Sequence, residues 1–317
     1  MPTKTKSADI KLYREYNAPV EAVWDAWSDP KQIEQWWGPR GFTLTTHNRD
    51  LRSGGTWKYT MHGPDGVDYE NFTKYIDVEK HKTLVYDHGG TETSNALFKV
   101  TALFSEANGK TKIDMTMTFP TAEAAETTGR YIRKAGGESC WDRLAEYLEK
   151  KVHGKEKFVI NRSFDTPIEN MFKMWTDPEH VAKWAAPTGF TMKYNHCDLK
   201  AGGKSFYSMS DGKDVTMYGR CQYSEIRKPD RIVYTQQFCD EKENVTRHPM
   251  AATWPESMQT TVQLTEEGPD RTRVTLTWDE AGKWSKEEME TFIKARDGMT
   301  QGWTGSFDKL EEYLEKQ

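Results

Sequence analysis

The stretch "VWDAWSDPKQIEQWWGPRGFT", residues 23–43, returns as "MFKMWTDPEHVAKWAAPTGFT" at residues 171–191. Both copies keep a tryptophan before Asp-Pro, then a second tryptophan, a proline and Gly-Phe-Thr, at a constant distance of 148 residues. The chain has 317 residues, and a unit this long is a domain rather than one repeat of a solenoid. The repetition therefore predicts two tandem domains of the same fold.

The alignment of the two copies locates an insertion and a boundary. The distance between matching residues is 148 in the first part of the copies and 161 near their end. The second copy therefore has an insertion of 13 residues, within residues 238–257. A polar stretch, "EKKVHGKEK" at residues 149–157, separates the copies. We therefore predict a first domain at residues 9–150 and a second domain at residues 157–317.

The composition is that of a soluble, mildly acidic protein, with a net charge of −5 and 29% charged residues. A chain without a large basic face is poorly suited to bind phosphates, so we expect no nucleic-acid partner. The start lacks a signal peptide and no apolar run approaches the roughly 20 residues that span a bilayer, so we expect a cytoplasmic protein with no membrane partner. The four cysteines lack metal-ligand spacing, and we expect free thiols, no metal and no cofactor.

The start of each copy predicts a strand followed by two short helices. "DIKLYREY" and "KFVINRSF" alternate polar and apolar residues, as a half-buried strand does. Asp29-Pro30 and Asp177-Pro178 then predict the start of a second short helix with an aspartate cap. "TPIE" at residues 166–169 predicts a capping box on Thr166 for the first helix of the second copy.

Six further strands and one long amphipathic helix complete each copy. An antiparallel sheet of this size must bury one face, and the final helix is the large element that can cover it. The predicted fold class is α+β: in each domain, a curved seven-stranded antiparallel sheet surrounds a long C-terminal helix, with two short helices after the first strand.

Glycines in the C-terminal helices need an explanation, because each costs about 1 kcal/mol relative to alanine in a helix interior. They are Gly298, Gly302 and Gly305 in the second copy and Gly129, Gly136 and Gly137 in the first. Two explanations stay open. The helix packs closely on the sheet or is kinked, or the missing side chains leave room for a ligand.

Three motifs carry a resemblance to a known family. At "VWDAWSDPKQIEQWWGPRGFT", "DLRSGGTWKYTMHGPDG" and "GMTQGWTGSFDKLEEYLEK" the chain closely resembles the activator of heat-shock-protein-90 ATPase homologue family, and the resemblance covers both copies. It implies the helix-grip fold of the START-like (SRPBCC) superfamily, with a cavity between a seven-stranded sheet and the C-terminal helix. It also implies an alternative function as a co-chaperone, with a heat-shock-protein-90 homologue as partner.

The part of the opening stretch that both copies keep favours a structural role. We expect Trp36 and Phe42 to close the joint between the short helices and the sheet, and Pro39 and Gly41 to form the turn. Trp37 differs, because its counterpart is Ala185. If Trp37 points to the inner face of the sheet, it forms a cavity mouth in the first domain only, and the two cavities differ.

Candidates to line a cavity are strand residues of one parity, since these face the same side of a sheet. Together with Trp37 they are, in the first domain, Trp57, Tyr59, Met61, Phe98, Met115 and Met117, and in the second domain Tyr207, Met209, Met258, Leu276 and Trp278. A cavity lined by methionine and aromatic side chains suits a flat or flexible apolar ligand. The alternative is that these side chains simply fill the core.

Residues suited to catalysis do not form a recognisable constellation. Asp87 and His88 are adjacent on a strand and point to opposite faces, and His62 and the pair Asp211 and Asp214 lie in polar turns. We expect exposed polar side chains at these positions. No phosphate-binding loop, zinc-protease motif or nucleophile elbow is present, so the sequence designates no catalytic residue.

The leading hypothesis is a non-enzymatic binding protein, with an apolar cavity between sheet and C-terminal helix in each domain for a small hydrophobic ligand. Two alternatives stay open. One is a co-chaperone that acts through its outer surface, and the other is a cyclase- or hydrolase-like enzyme that works inside the cavity.

Overall fold

The structure, a computed structural model, describes residues 8–134 and 138–317. The chain divides into two compact units between Lys155 and Glu156. Each unit contains an antiparallel seven-stranded sheet followed by C-terminal helices. The predicted fold class, two tandem helix-grip domains, is confirmed.

The first domain opens with a strand and two short helices, continues with six strands and ends in helices. Its elements are β1 (Asp9–Tyr16), α1 (Val20–Ser28), α2 (Pro30–Ile33), β2 (Thr43–Arg49), β3 (Thr56–His62), β4 (Asp68–Glu79), β5 (Thr83–Gly89), β6 (Phe98–Ala107), β7 (Lys110–Thr118), α3 (Ala122–Lys134) and α4 (Ser139–His153). The order across the sheet is β1-β7-β6-β5-β4-β3-β2. The first strand thus pairs with the last, and the others follow the chain as a meander.

The second domain repeats this arrangement. Its elements are β8 (Phe158–Phe164), α5 (Ile168–Thr176), α6 (Pro178–Trp184), β9 (Thr191–Cys197), β10 (Lys204–Ser210), β11 (Thr216–Arg227), β12 (Arg231–Cys239), β13 (Met258–Gly268), β14 (Arg271–Glu280), α7 (Lys286–Lys294) and α8 (Arg296–Leu314). The order across its sheet is β8-β14-β13-β12-β11-β10-β9. The insertion predicted within residues 238–257 lies between β12 and β13.

Helices α3 and α7 are additional to the single closing helix that the sequence predicts. Helix α7 begins with a capping box, in which Ser285 and Glu288 bond each other's backbone amides. It buries one side chain fully, Phe292. An apolar pattern this short does not distinguish a helix from a polar connection, which is why the sequence does not reveal it.

The predicted caps of the short helices are right in two cases and wrong in one. Asp29 accepts a hydrogen bond from the Lys31 amide at 2.7 Å, and Asp177 accepts one from the Glu179 amide at 3.0 Å. Thr166 forms no capping box, because Pro167 occupies the cap position with an extended backbone and α5 begins at Ile168. Thr166 precedes the cap position by one residue, so its hydroxyl does not reach the free backbone amides of the first helical turn.

The turn that follows the second tryptophan forms as predicted in both domains. Trp36 is fully buried, and its indole N–H donates to the Ala26 carbonyl at 3.0 Å. The Phe42 amide bonds the Pro39 carbonyl at 3.0 Å, and Gly41 has a φ of +88°, which only glycine adopts without strain. Phe42 itself is only partly buried. Tryptophan therefore anchors the short helices, and the turn leads the chain into the sheet.

A cation on the C-terminal helix holds this turn in each domain. Arg143 donates to the carbonyls of Gly38 and Pro39, both at 2.9 Å. Lys309, at the matching position of α8, donates to the carbonyls of Ala186 at 2.8 Å and Phe190 at 2.9 Å. Charge-assisted hydrogen bonds to these carbonyls connect the closing helix to the turn at the edge of the inner face.

Candidate functional site

A cluster of tryptophans occupies the inner face of the first sheet, on the side of helix α4. The tryptophan cluster consists of Trp27, Trp36, Trp37, Trp57 and Trp141. Trp27 stacks on Trp141 with ring centroids 5.7 Å apart, and Trp27 and Trp36 are 5.5 Å apart. Contacting aromatic rings of this kind form a close-packed interior.

Trp37 lies inside the tryptophan cluster. Its ring centroid is 5.5 Å from that of Trp57, and its indole N–H donates to the Tyr59 hydroxyl at 3.3 Å. Tyr59 in turn stacks on Trp57, with centroids 3.9 Å apart, and is 1% exposed. The structure thus brings these three predicted residues together, and they pack against one another.

The other predicted residues of the first domain lie on the same side of the sheet. Met115 is 3% exposed, and Met61, Phe98 and Met117 are partly buried against the core. The Phe98 ring lies 4.9 Å from the imidazole of His88. These side chains therefore belong to the same apolar core as the tryptophan cluster.

The second domain has a cavity of about 270 Å³ between its sheet and helix α8. We call it the second-domain cavity. Its walls are mainly aromatic and include the rings of Trp175, Trp303 and Trp278, with Tyr207 and Met209 from the sheet. A small concave site of apolar and aromatic side chains with a few polar atoms is typical of binding sites for small molecules.

Two differences between the copies account for this open space. Ala185 stands where the first domain has Trp37, and Ser205 stands where it has Trp57. Ala185 lines the second-domain cavity, while Ser205 is fully buried with its hydroxyl 3.0 Å from that of Tyr223. Each indole is among the largest side chains that a core contains. Without these two rings, the matching volume of the second domain stays open.

A third difference sets the position of Tyr207. A Cβ atom at Gly219 would lie 2.4 Å from the Tyr207 hydroxyl oxygen, so the phenol ring lies directly against the glycine backbone. The first domain has Asn71 at this position, and there the matching Tyr59 stacks on a tryptophan instead. Because Gly219 has no side chain, the Tyr207 ring packs directly on its backbone, and Tyr207 stays partly exposed.

The helix glycines have separate explanations. A Cβ at Gly305 would lie 2.4 Å from the Thr188 hydroxyl, so this glycine allows close packing, whereas Gly298 is exposed. Gly302 lines the second-domain cavity and has open space at its Cβ position. In the first domain, a Cβ at Gly129 would meet Ile10 at 3.1 Å. Gly136 and Gly137 lie outside the described residues.

The predicted residues of the second domain separate into two groups. Tyr207, Met209 and Trp278 line the second-domain cavity. Met258 and Leu276 are in the core, at 3% and 0% exposure, and are not part of its wall. The parity rule assigns a residue to a face of the sheet, but it does not show where along that face the open space lies.

Several wall residues were not predicted. Tyr223 and Tyr234 face each other across β11 and β12 and line the second-domain cavity. They match Tyr75 and Tyr86 of the first copy, so the repeat could have identified them as inner-face residues. His248 comes from the insertion, which has no counterpart, so nothing in the repeat could reveal it.

His248 joins the wall from the edge of the inserted segment. Its ring lies 4.6 Å from Phe238 and 5.8 Å from Trp254. Its Nδ1 accepts a hydrogen bond from the Met250 amide at 3.1 Å, so the neutral ring carries its proton on Nε2. The insertion therefore contributes a side chain with one N–H group to a wall whose other polar side chains include Gln236 and Ser306.

The ionisable groups of the second-domain cavity are neutral at pH 7. Burial raises the pKa of Tyr194, Tyr207, Tyr223 and Tyr234 above the ordinary value of 10, so their hydroxyls keep their protons. Burial also raises the pKa of the Cys221 thiol to about 12. It lowers the pKa of His248, which favours the uncharged imidazole. The wall thus offers dipoles without a formal charge.

None of the residues considered for catalysis is among the described residues that line the second-domain cavity. His62 bonds Asp68 at 2.7 Å and Thr45 at 2.9 Å, on the opposite side of β3 from Tyr59. Asp211 accepts bonds from the amides of its own turn, at Lys213 and Val215. His88 is not an exposed polar side chain as expected, because it faces Phe98 on the inner side of the first sheet.

His88 gives a prediction on pH dependence. Burial lowers its pKa from 6.5 to about 4, so between these values the unfolded chain binds a proton that the folded domain does not. We expect the first domain to lose stability as the pH falls from 6.5 towards 4, and His88→Gln to reduce that loss; Gln236 is the natural counterpart. Thermal unfolding of both proteins at pH 7.5 and 4.5 checks this, and an equal loss in both would contradict it.

Two further findings concern metals and membranes. All four cysteines are free thiols, and within residues 8–134 and 138–317 no three His, Cys, Asp or Glu side chains are arranged to hold a metal ion. In the same part of the chain, no helix combines the length and apolar composition needed to cross a bilayer.

Comparison with known proteins yields a family and several similar structures. The family model for Activator of Hsp90 ATPase homolog 1-like proteins matches residues 17–149 and 165–315. A solved protein from Staphylococcus epidermidis is 26% identical over 48% of this chain and 96% of that chain, with a TM-score of 0.42. One from Arthrobacter aurescens is 23% identical over 47% and 90%, with a TM-score of 0.43.

One similar structure spans both domains. The di-domain ARO/CYC protein BexL from the BE-7585A biosynthetic pathway is 10% identical, covers 96% of this chain and 97% of its own, and has a TM-score of 0.38. A search of curated proteins finds no match to the chain.

Proposed function

Because the chain belongs to the family of Activator of Hsp90 ATPase homolog 1-like proteins, with two tandem domains, we propose that it is a binding protein for a small hydrophobic molecule. The ligand site is the second-domain cavity, between the sheet and helix α8. The sequence predicts a ligand cavity in each domain, whereas we propose a single site in the second domain. Trp37 and Trp57 occupy the matching volume of the first domain.

The observation that carries the proposal is the cavity of about 270 Å³ with its aromatic wall. Natural cores are packed to high density, and an apolar void loses the dispersion contacts that side chains on both sides would make. A ligand that fills the void restores these contacts and removes its own apolar surface from water. Gly302 and Ala185 keep this space open at positions where larger side chains would enter it.

The first domain supports the proposal by contrast. The same strands and helices there enclose a close-packed tryptophan cluster, in which Trp36 and Trp57 are 0% and 3% exposed. The place that stays open beside Ala185 is therefore filled by indole rings in the first domain, and the open volume of the second domain is a property of its own side chains. We therefore assign the proposed ligand site to the second domain alone.

Uptake of ligand by the intact chain tests this proposal. The chain is mixed with a library of small apolar compounds and examined by native mass spectrometry and isothermal titration calorimetry. We expect one molecule of ligand to bind per chain, with the negative heat-capacity change of apolar burial. Absence of uptake across the library would overturn the proposal, and two equal sites per chain would contradict its restriction to the second domain.

The predicted chaperone partner and the cyclase- or hydrolase-like enzyme stay predictions. The first rests on the family resemblance, and the second rests on the shape of a cavity in this fold. Neither draws support from a particular arrangement of side chains described above.

A further inference from the structure

We propose that the second-domain cavity selects an uncharged, flat molecule that carries a hydrogen-bond-accepting oxygen, such as an aryl ketone, and rejects the corresponding carboxylate. This inference rests on the proposed function, and it specifies the chemical class of the ligand at the same site. Three properties of the cavity wall support this inference independently. They are its lack of charged side chains, its hydrogen-bond donors and its shape.

The wall has no countercharge for an anion. No Lys, Arg, Asp or Glu is among the described residues that line the second-domain cavity. The first domain has a cation near the same place: the Arg49 guanidinium lies 4.4 Å from the centroid of the Trp57 ring. Its counterpart in the second copy is Cys197. A charged group inside a protein is strongly unfavourable unless it is paired, so this wall disfavours carboxylates and sulfonates.

The wall does offer hydrogen-bond donors. The hydroxyls of Tyr194 and Tyr207 form no hydrogen bond with any described residue, and both tyrosines line the second-domain cavity. His248 presents its Nε2–H, because Nδ1 already accepts a bond from Met250. A polar group that a ligand covers must be given a partner, or its desolvation weakens binding. A ligand with a carbonyl oxygen supplies that partner, whereas a pure hydrocarbon does not.

The shape of the wall favours planar molecules. Trp175 and Trp303 stack with ring centroids 6.2 Å apart, and Trp278 meets Trp303 edge to face at 6.0 Å. On the sheet side, Tyr194 and Tyr207 meet at 6.3 Å. Aromatic faces and edges of this kind pack well on a flat ring system. The combination of flat walls, donors and absent charge defines the proposed ligand class.

Three two-ring probes of nearly equal shape test the inference: 2-acetylnaphthalene, 2-ethylnaphthalene and 2-naphthoate. Binding to the full chain is measured by calorimetry at pH 7.5. We expect the ketone to bind most tightly and the hydrocarbon about 5-fold more weakly, as the loss of one neutral hydrogen bond predicts. The carboxylate, with a pKa of about 4, should bind about a thousand-fold more weakly, because only its rare neutral form fits.

Two further measurements sharpen the test. The apparent affinity of the acid should rise about tenfold when the pH falls from 7.5 to 6.5, while that of the ketone stays constant. Tyr207→Phe should weaken the ketone about 5-fold and leave the hydrocarbon unchanged. Tyr313→Phe is the matched control, since that hydroxyl bonds His180 at 2.8 Å and is not part of the cavity wall. If Tyr207→Phe fails to fold, Tyr194→Phe replaces it.

The outcomes separate this inference from the proposed function. If 2-naphthoate binds as tightly as the ketone at pH 7.5, or the ketone and the hydrocarbon bind equally, the inference is overturned while the cavity remains a ligand site. If none of the three binds, both the inference and the proposed function fail for compounds of this size.

Discussion

Ala185→Trp is expected to abolish ligand uptake by the chain. The first domain carries Trp37 at the matching position, where the indole lies among Trp27, Trp57 and Trp141. Ala185 lines the second-domain cavity, so a tryptophan there projects into the open volume and takes the place of the ligand. We expect a drop in affinity of at least about 100-fold for a ligand that binds the wild type, since even one excess methylene group strains a packed site.

The measurement is calorimetric titration of the intact chain with 2-acetylnaphthalene. Lys183→Trp is the control, because Lys183 is exposed on helix α6, two residues before Ala185, and a tryptophan there does not enter the cavity. Circular dichroism establishes that both variants are folded. Unchanged affinity in a folded Ala185→Trp protein would place the ligand outside the second-domain cavity.

Trp36→Ala is expected to destabilise the first domain by about 3–5 kcal/mol, the range observed for truncation of large aromatic core residues. Trp36 is fully buried and contacts Trp27 and Trp37, with ring centroids 5.5 Å and 5.3 Å apart. Its removal leaves a cavity, and it also deprives the Ala26 carbonyl of its donor.

Urea unfolding of the full chain measures this effect as a shift of the transition that belongs to the first domain. Trp36→Phe serves as comparison, because it retains most of the ring volume and loses the indole N–H. We expect a clearly smaller loss for the phenylalanine variant. A loss below about 1 kcal/mol in Trp36→Ala would show that the tryptophan cluster is not the main support of this domain.

The two domains differ at one place on the inner face, which tryptophan rings fill in the first domain and which stays open in the second. The anchoring features recur: Trp36 and Trp184 donate to backbone carbonyls at 3.0 Å and 3.1 Å, and a cation on the closing helix holds the turn in both copies. The copies differ in side chains on the inner face, such as Ala185 and Ser205, and in the insertion between β12 and β13. The open volume, and with it the proposed ligand site, is therefore accommodated without a change in the order of strands and helices.

The cavity wall was only partly predictable. Tyr207, Met209 and Trp278 were identified by parity along their strands, because alternation assigns side chains to a face. Met258 and Leu276 satisfy the same rule and are core residues. Parity does not show whether a side chain on the inner face is buried in the core or borders open space. That depends on the distance between the closing helix and each strand.

Other wall positions depend on contacts between distant segments. His248 reaches the wall from an insertion, and Gly219 matters only because Tyr207 leans on it. Gly298, Gly302 and Gly305 share one helix, yet only the second lines the cavity. Such roles are set by neighbours that are far apart in the chain, so no local pattern distinguishes them.

By itself, the sequence determined the duplication, because matching residues recur at a constant distance. It also determined the strands, the two short helices and the closing helix of each copy, the aspartate caps and the turn after the second tryptophan, because each of these depends on residues close together in the chain. Only the tertiary structure decided that Trp37 and Trp57 fill a volume of the first domain which Ala185 and Ser205 leave open in the second. The reason is that an unfilled volume belongs to the space between elements, and side chains from several of them must be in place before it exists.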